Sequence, residues 1–331
     1  MVKIAINGFG RIGKQFFLAA MEEGVNWDFV INELGNLDDV VYALKYDSVH
    51  PTPKESISHD GRNLIFGKKK IKIISEVNPE KLPWKAEKVD LVVECTGMFT
   101  ARGDAMKHIK AGAKKVLISA PAKNPDCTIV FDVNNEALKK EHKIISAGSC
   151  TTNCIAPMVK ILNDNFNIET CFFTTAHAYT ATQKLIDAHD KKDPRRGRAA
   201  AQNIVPSTSG ASQSVVEALP ELKGKLEGYA IRIPVIDGSF SSVIAVVKRP
   251  ISTTEVNSIF KQASSKDYKN ILSYTSDAIV SSDIIHHPAS CVFDGQITQV
   301  QKNTVSIAGW YDNECGYSCR LVDVSKLILK K

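Results

Sequence analysis

Val2-Lys3-Ile4-Ala5-Ile6-Asn7-Gly8-Phe9-Gly10-Arg11-Ile12-Gly13 decides the fold class. A short apolar run ends in three glycines spaced G-x-G-x-x-G, and Phe16, Phe17, Ala20 and Met21 then recur at helical spacing. The pattern is strand, tight turn, helix. The first glycine permits the turn, the second lets backbone approach a pyrophosphate, and the third lets helix and strand pack closely. Free N–H groups at the helix start would then receive the phosphates. Gly8, Gly10, Arg11, Ile12 and Gly13 are the first cofactor-binding candidates.

A dinucleotide fold also needs an acidic residue about 20 positions on, at the end of the second strand, to hold the adenosine ribose hydroxyls. Trp27 to Asn32 reads as that strand and Glu33 ends it. Further buried strands are expected over Val89 to Cys95, Lys115 to Ser119 and Cys127 to Val133, with an amphipathic helix over Ala101 to Ala113. Thr96 and Ser119 follow two of these strand ends, at the edge where open parallel sheets bind ligands, and join the cofactor candidates. Beyond residue 150 the strands are longer and more alternating: Thr170 to Thr175, Gly228 to Pro234, Ser241 to Arg249, Cys291 to Ile297 and Asn303 to Trp310. They suggest a mixed or antiparallel sheet. Asp187 to Arg198 reads as an extended polar loop, and Tyr317 to Leu329 is helical by periodicity.

A chain of 331 residues suggests two domains. The fold class expected is α/β: a doubly wound cofactor domain plus an α+β catalytic domain with a mixed sheet. The net charge of +6 favours anionic, for example phosphorylated, ligands but is too diffuse to argue for nucleic acid. The eight cysteines form no C-x-x-C pair and have no histidine cluster of zinc-finger type, so no metal site is expected and free thiols in a reducing cytosol are. Met1 leads into a strand without a basic-then-apolar signal, and no run approaches a membrane span, so a cytoplasmic location is expected.

Ser146-Ala147-Gly148-Ser149-Cys150-Thr151-Thr152-Asn153-Cys154 carries the chemistry. Gly148 and Ser149 break the apolar run before them, and from Cys154 the apolar positions recur at helical spacing. Cys150 therefore falls just before or at the first turn of a helix. The positive end of the helix dipole is expected there to lower the thiol pKa and raise the thiolate fraction. The same residues also fit a buried structural cysteine.

Gly8-Phe9-Gly10-Arg11-Ile12-Gly13, Ser149-Cys150-Thr151-Thr152-Asn153-Cys154, His177-Ala178-Tyr179-Thr180 and Trp310-Tyr311-Asp312-Asn313-Glu314 stand in order along the chain. With them the whole chain resembles the phosphorylating glyceraldehyde-3-phosphate dehydrogenases. The resemblance implies Cys150 as nucleophile and His177 as base, acting on a phosphorylated aldehyde with NAD and inorganic phosphate through a hemithioacetal and a thioester. It implies that Thr180, Thr182, Arg196 and Arg232 face the substrate phosphate. Ser149, Thr151, Ser209 and Gly210 would hold the attacking phosphate, with Arg232 reaching both. Asn313 would fix the nicotinamide carboxamide and Tyr317 pack near its ring. The dinucleotide-binding domain would span 1–149, rejoined by the helix 317–331, with the catalytic domain over 150–316. A homotetramer is implied by the resemblance alone.

Three departures are visible. Glu33 replaces the Asp usual in NAD-linked members; its longer side chain must still reach the ribose, its charge would repel a 2′-phosphate and so favours NAD, and only the room left by the Ala188-His189 loop keeps NADP as an alternative. The loop at Asp187-Ala188-His189 lacks a Leu-Pro pair, and Val235 to Ser239 differs from the common pattern. Erythrose-4-phosphate dehydrogenase and a silent nucleotide- or RNA-binding relative remain the competing readings. No RNA-binding signature is present.

Overall fold

The computed structural model describes residues 2–191 and 193–331, and the chain divides into two compact units. One unit comprises residues 2–129, 135–148 and 318–331, and the other residues 130–134 and 149–317.

The first unit is built on a nine-stranded sheet in the order Ile57–His59, Asn63–Phe66, Lys69–Ile74, Trp27–Asn32, Val2–Asn7, Leu91–Glu94, Lys115–Ile118, Ile144–Ser146, Cys127–Thr128. Val2–Asn7 pairs in parallel with Trp27–Asn32 on one side and Leu91–Glu94 on the other. Chain order therefore reverses beside the first strand, and the carboxyl ends at Asn7 and Glu94 form the switch point where doubly wound sheets bind ligands. Ile4, Ala5, Ile6, Leu91, Val92 and Val93 are wholly buried, as strands covered on both faces must be.

The second unit carries a mixed sheet in the order Val205–Ser207, Leu226–Ile233, Ile168–Ala178, Ser239–Val247, Thr304–Tyr311, Cys291–Asp294, Leu272–Thr275, with Gln299–Gln301 paired to Thr304–Tyr311. Ile168–Ala178 runs parallel to Leu226–Ile233 and antiparallel to Ser239–Val247. Its period of two puts Cys171, Phe173, Thr175 and His177 on one buried face. The helix Cys150–Phe166 shares a core with that sheet: Ile155, Met158 and Leu162 pack with Phe173, Val243 and Ile307.

Two expected strands end early. The one expected over Cys127 to Val133 is only Cys127–Thr128, because the N–H groups of Val133 and Asn134 turn back to the Val130 carbonyl. The one expected over Cys291 to Ile297 stops at Asp294, whose carboxylate takes the Gln296 N–H and starts a turn. The helix expected over Ala101 to Ala113 is Arg102–Lys110, and the terminal helix is Cys315–Lys330.

Candidate active site

Cys150 is the first residue of its helix because Ser149 caps it. Ser149 Oγ accepts the Thr152 N–H at 3.1 Å, and Thr152 Oγ1 accepts the Ser149 N–H at 3.1 Å. This reciprocal box satisfies two orphan donors and fixes where the helix begins. The sulfur then lies 3.3 Å from Nε2 of His177 on the neighbouring strand. Strand register sets Arg232 directly opposite His177. Arg232 Nη1 is 2.6 Å from His177 Nδ1 and 3.0 Å from the Ala178 carbonyl oxygen, which itself lies 2.7 Å from Nδ1. A neutral ring has one N–H, so Nδ1 either donates to that carbonyl or accepts from the guanidinium. Only the first choice leaves Nε2 with a lone pair facing the thiol.

The electrostatics correct one expectation. Burial pushes the Cys150 thiol up to about 11, against the smaller lowering effects of the Arg232 charge and the Thr151 hydrogen bonds. The helix terminus does not outweigh that desolvation. His177, only 4 % exposed, is held down to about 3, first by burial and then by the Arg232 charge. Cysteine and histidine thus face each other uncharged at neutral pH. Cys150 keeps a solvent-accessible edge, so its thiolate is less disfavoured than a fully enclosed one. Cys154, with no exposed surface, is raised well above the usual thiol range.

The other residues singled out in the sequence have the following partners. Thr180 Oγ1 and Thr182 Oγ1 are 3.0 Å apart, and Arg196 Nη2 donates to Thr182 at 2.6 Å. The Arg196 and Arg232 charges are close enough to repel, and among the described residues no carboxylate pairs with Arg232. The Nε atoms of both arginines are buried without a partner. Two converging guanidiniums with spare donors suit an oxyanion. Ser209 Oγ accepts the Ala211 N–H at 3.1 Å at the start of the helix Ala211–Ala218, whose cap is Gly210. Thr151 turns inward: its hydroxyl meets Tyr311 Oη at 2.9 Å. Asn313 Oδ1 accepts from Ser239 Oγ at 2.7 Å, and Ser239 Oγ accepts the Ala178 N–H at 3.1 Å, so Asn313 is tied to the residue after His177. Tyr317 is buried near the start of the terminal helix.

Tyr311 was not singled out as a site residue, although it stands in a quoted motif. Its hydroxyl bridges Thr151 and Thr175, and its ring packs edge-on against His177 at 6.0 Å. A tyrosine at the end of an alternating strand reads as core until its partners are known.

In the first unit the glycine turn has the shape a dinucleotide needs. Gly8 has φ +88°, a conformation that favours glycine. A Cβ on Gly13 would collide with the Gly8 carbonyl, whereas nothing lies within 4 Å of one on Gly10. That open face sits at the cap of the helix Arg11–Glu22, where no side chain caps the N–H groups. Glu33 accepts the Phe9 N–H at 2.7 Å and the Leu34 and Gly35 N–H groups at 2.9 and 3.1 Å, so it braces the turn as well as ending its strand. Arg11 reaches Asp47 at 2.5 Å. Thr96 and Ser119 are half-buried after their strands, and Ser119 Oγ donates to the Glu94 carbonyl at 2.9 Å. Ile12 is half-buried in the first turn.

Comparison with known proteins agrees on the class. The family model described as the glyceraldehyde 3-phosphate dehydrogenase NAD binding domain matches residues 2–102, and the one described as its C-terminal domain matches residues 149–313. The doubly wound unit and its partner therefore define an NAD-dependent oxidoreductase. The glyceraldehyde-3-phosphate dehydrogenase of Streptomyces coelicolor is 49% identical over 331 residues, covering 99% of this chain and 98% of that protein. Glyceraldehyde-3-phosphate dehydrogenase 1 of Bacillus subtilis and the enzyme of Geobacillus stearothermophilus are each 44% identical over 332 residues, covering 100% of this chain and 99% of theirs. The chain belongs to the glyceraldehyde 3-phosphate dehydrogenase family.

Proposed function

We propose that the protein converts glyceraldehyde 3-phosphate and inorganic phosphate to 1,3-bisphosphoglycerate in glycolysis or gluconeogenesis. The observation that carries this reading is the 3.3 Å approach of Cys150 Sγ to His177 Nε2 at a capped helix start. NAD, when bound, supplies the hydride acceptor. With Nδ1–H donated to the Ala178 carbonyl, Nε2 takes the thiol proton as sulfur attacks the aldehyde and passes it to the aldehyde oxygen, giving a hemithioacetal and restoring the neutral ring. His177 then removes the hydroxyl proton as the carbon is oxidised to a thioester. Inorganic phosphate attacks the thioester carbonyl, and the C–S bond breaks to release the acyl phosphate and free Cys150.

The converging guanidiniums of Arg196 and Arg232, with Thr180 and Thr182, hold the substrate phosphate. Ser149, Thr151, Ser209 and Gly210, with Arg232, orient the attacking one. Gly8, Gly10, Arg11, Ile12 and Gly13 cradle the cofactor with Glu33, Thr96 and Ser119, and Asn313 and Tyr317 serve its nicotinamide end. Residues 1–149 with 317–331 act as the cofactor domain and 150–316 as the catalytic domain. We place the enzyme in the cytoplasm as a homotetramer; a monomeric mass in light scattering at micromolar concentration would refute the assembly. Among the described residues no helix is long and apolar enough to cross a membrane.

The substrate is tested by comparing kcat/KM for glyceraldehyde 3-phosphate and erythrose 4-phosphate, with and without inorganic phosphate. The account expects the three-carbon sugar to be preferred and turnover to require phosphate. Preference for the four-carbon sugar, or phosphate-independent turnover, would refute it.

A further inference from the structure

We infer that Glu94 is the positioning residue for the dinucleotide turn, although its own side chain is enclosed and borders no open space. It ends the strand Leu91–Glu94 at the point where the order of the sheet reverses, and it is 1 % exposed. An isolated carboxylate at that depth is costly, so its hydrogen bonds must account for it.

Both oxygens are filled. Trp84 Nε1 donates to His108 Nδ1 at 3.0 Å, which leaves the proton of neutral His108 on Nε2; that N–H donates to Glu94 Oε2 at 3.0 Å. Asn7 Nδ2 donates to the same oxygen at 2.6 Å. On the other oxygen, the Thr96 N–H donates at 2.8 Å and the Thr96 hydroxyl makes a second, short bond. Four donors from three elements thus converge on one carboxylate, and among them none is a lysine or arginine.

The partners are what give the cluster its consequence. Asn7 immediately precedes Gly8, and Thr96 packs against Gly8 so closely that a Cβ there would come within 2.8 Å of its Cγ2. Glu94 therefore holds both the residue that precedes the first glycine and the one that packs against it. From Asn7 the network continues: Asn32 Nδ2 donates to Asn7 Oδ1 at 2.8 Å, and Asn32 Oδ1 accepts the Glu76 N–H at 2.9 Å. Asn32 immediately precedes Glu33, the expected ribose ligand. One buried carboxylate thus sets the relative positions of the strand ends that carry Gly8, Glu33 and Thr96. The inference rests on the assignment of this turn to NAD.

Glu94→Gln removes the charge and turns half of the acceptor into a donor facing other donors. We expect the NAD dissociation constant, measured by calorimetry, to rise about tenfold, as for loss of one charge-assisted bond. KM for NAD should follow, while kcat at saturating NAD and the cofactor-free alkylation rate of Cys150 stay at wild-type values. Thr96→Val should weaken NAD similarly and Thr96→Ser restore it. The double variant Glu94→Gln/Thr96→Val should bind little worse than either single one, because both act through the same bond. Wild-type affinity in folded Glu94→Gln, or additive losses in the double variant, would overturn the inference. If Glu94→Gln does not fold, failure of Thr96→Ser to restore what Thr96→Val loses overturns it instead. Lack of NAD binding by the wild-type protein would refute the cofactor assignment itself and is thereby distinguishable.

Discussion

Cys150 and His177 meet as thiol and imidazole, and the price of that neutrality is visible in how stability should depend on pH. His177 has its folded pKa lowered from 6.5 to about 3, so between those values the unfolded chain binds a proton that the folded one refuses. Stability is therefore fully present above pH 6.5 and falls as the pH drops toward 3. His177→Asn should make the fall in melting temperature between pH 6.5 and pH 4 shallower, since one buried imidazole is gone while His287, also held down by burial, remains. Cys150, raised from 9.0 to about 11, has the mirror effect: stability is lost as the pH rises from 9 to 11. The same His177→Asn variant should slow acylation in single turnover by about 10²–10⁴-fold, the range for loss of a general base. An unchanged single-turnover rate would remove His177 from the proton transfer. Cys150 was legible locally, as a helix start after a Gly-Ser break, whereas His177 came from the family resemblance alone, because a lone histidine beyond the strand expected over Thr170 to Thr175 reads as structural. The direction of the thiol shift was not legible: desolvation comes from side chains distant in sequence, such as Tyr311, whereas the helix dipole can be read from the next few residues.

Among the elements, the glycine turn was the most legible, since each glycine answers a steric demand made within a few residues. Gly13→Ala tests it. The added methyl would strike the Gly8 carbonyl and lie 3.2 Å from Ile6 Cγ2, and backbone cannot yield as a flexible side chain can. We expect a loss of ~1–3 kcal/mol in stability, measured by denaturant unfolding, together with weaker NAD binding. A variant as stable as wild type would mean that helix and strand are less tightly apposed there. The strands that ended early show the converse. Val130 to Val133 is apolar enough for a strand, but its N–H groups close a local turn at Val130, with Asp132 at φ +58°. Apolar content records burial and does not say which carbonyl a given N–H will find.

At the scale of the whole molecule, length and the change in strand character were enough to expect two bodies, and a doubly wound sheet and a mixed sheet are what the two units contain. What could not be read was the pairing that brings distant segments together: Arg232 opposite His177, Tyr311 beneath Thr151, and Glu94 between Asn7 and Thr96. Register over dozens of residues fixes those neighbours, and no local pattern encodes it. The central claim is that this assembly exists to carry an acyl group on one thiol. It is tested most directly by mixing the protein with NAD and glyceraldehyde 3-phosphate without inorganic phosphate, quenching in acid, and locating the adduct by peptide mass spectrometry. The account predicts a phosphoglyceryl group on Cys150, approaching one per chain and discharged when phosphate is added before the quench; NAD reduction with no adduct, or an adduct on another cysteine, would contradict it.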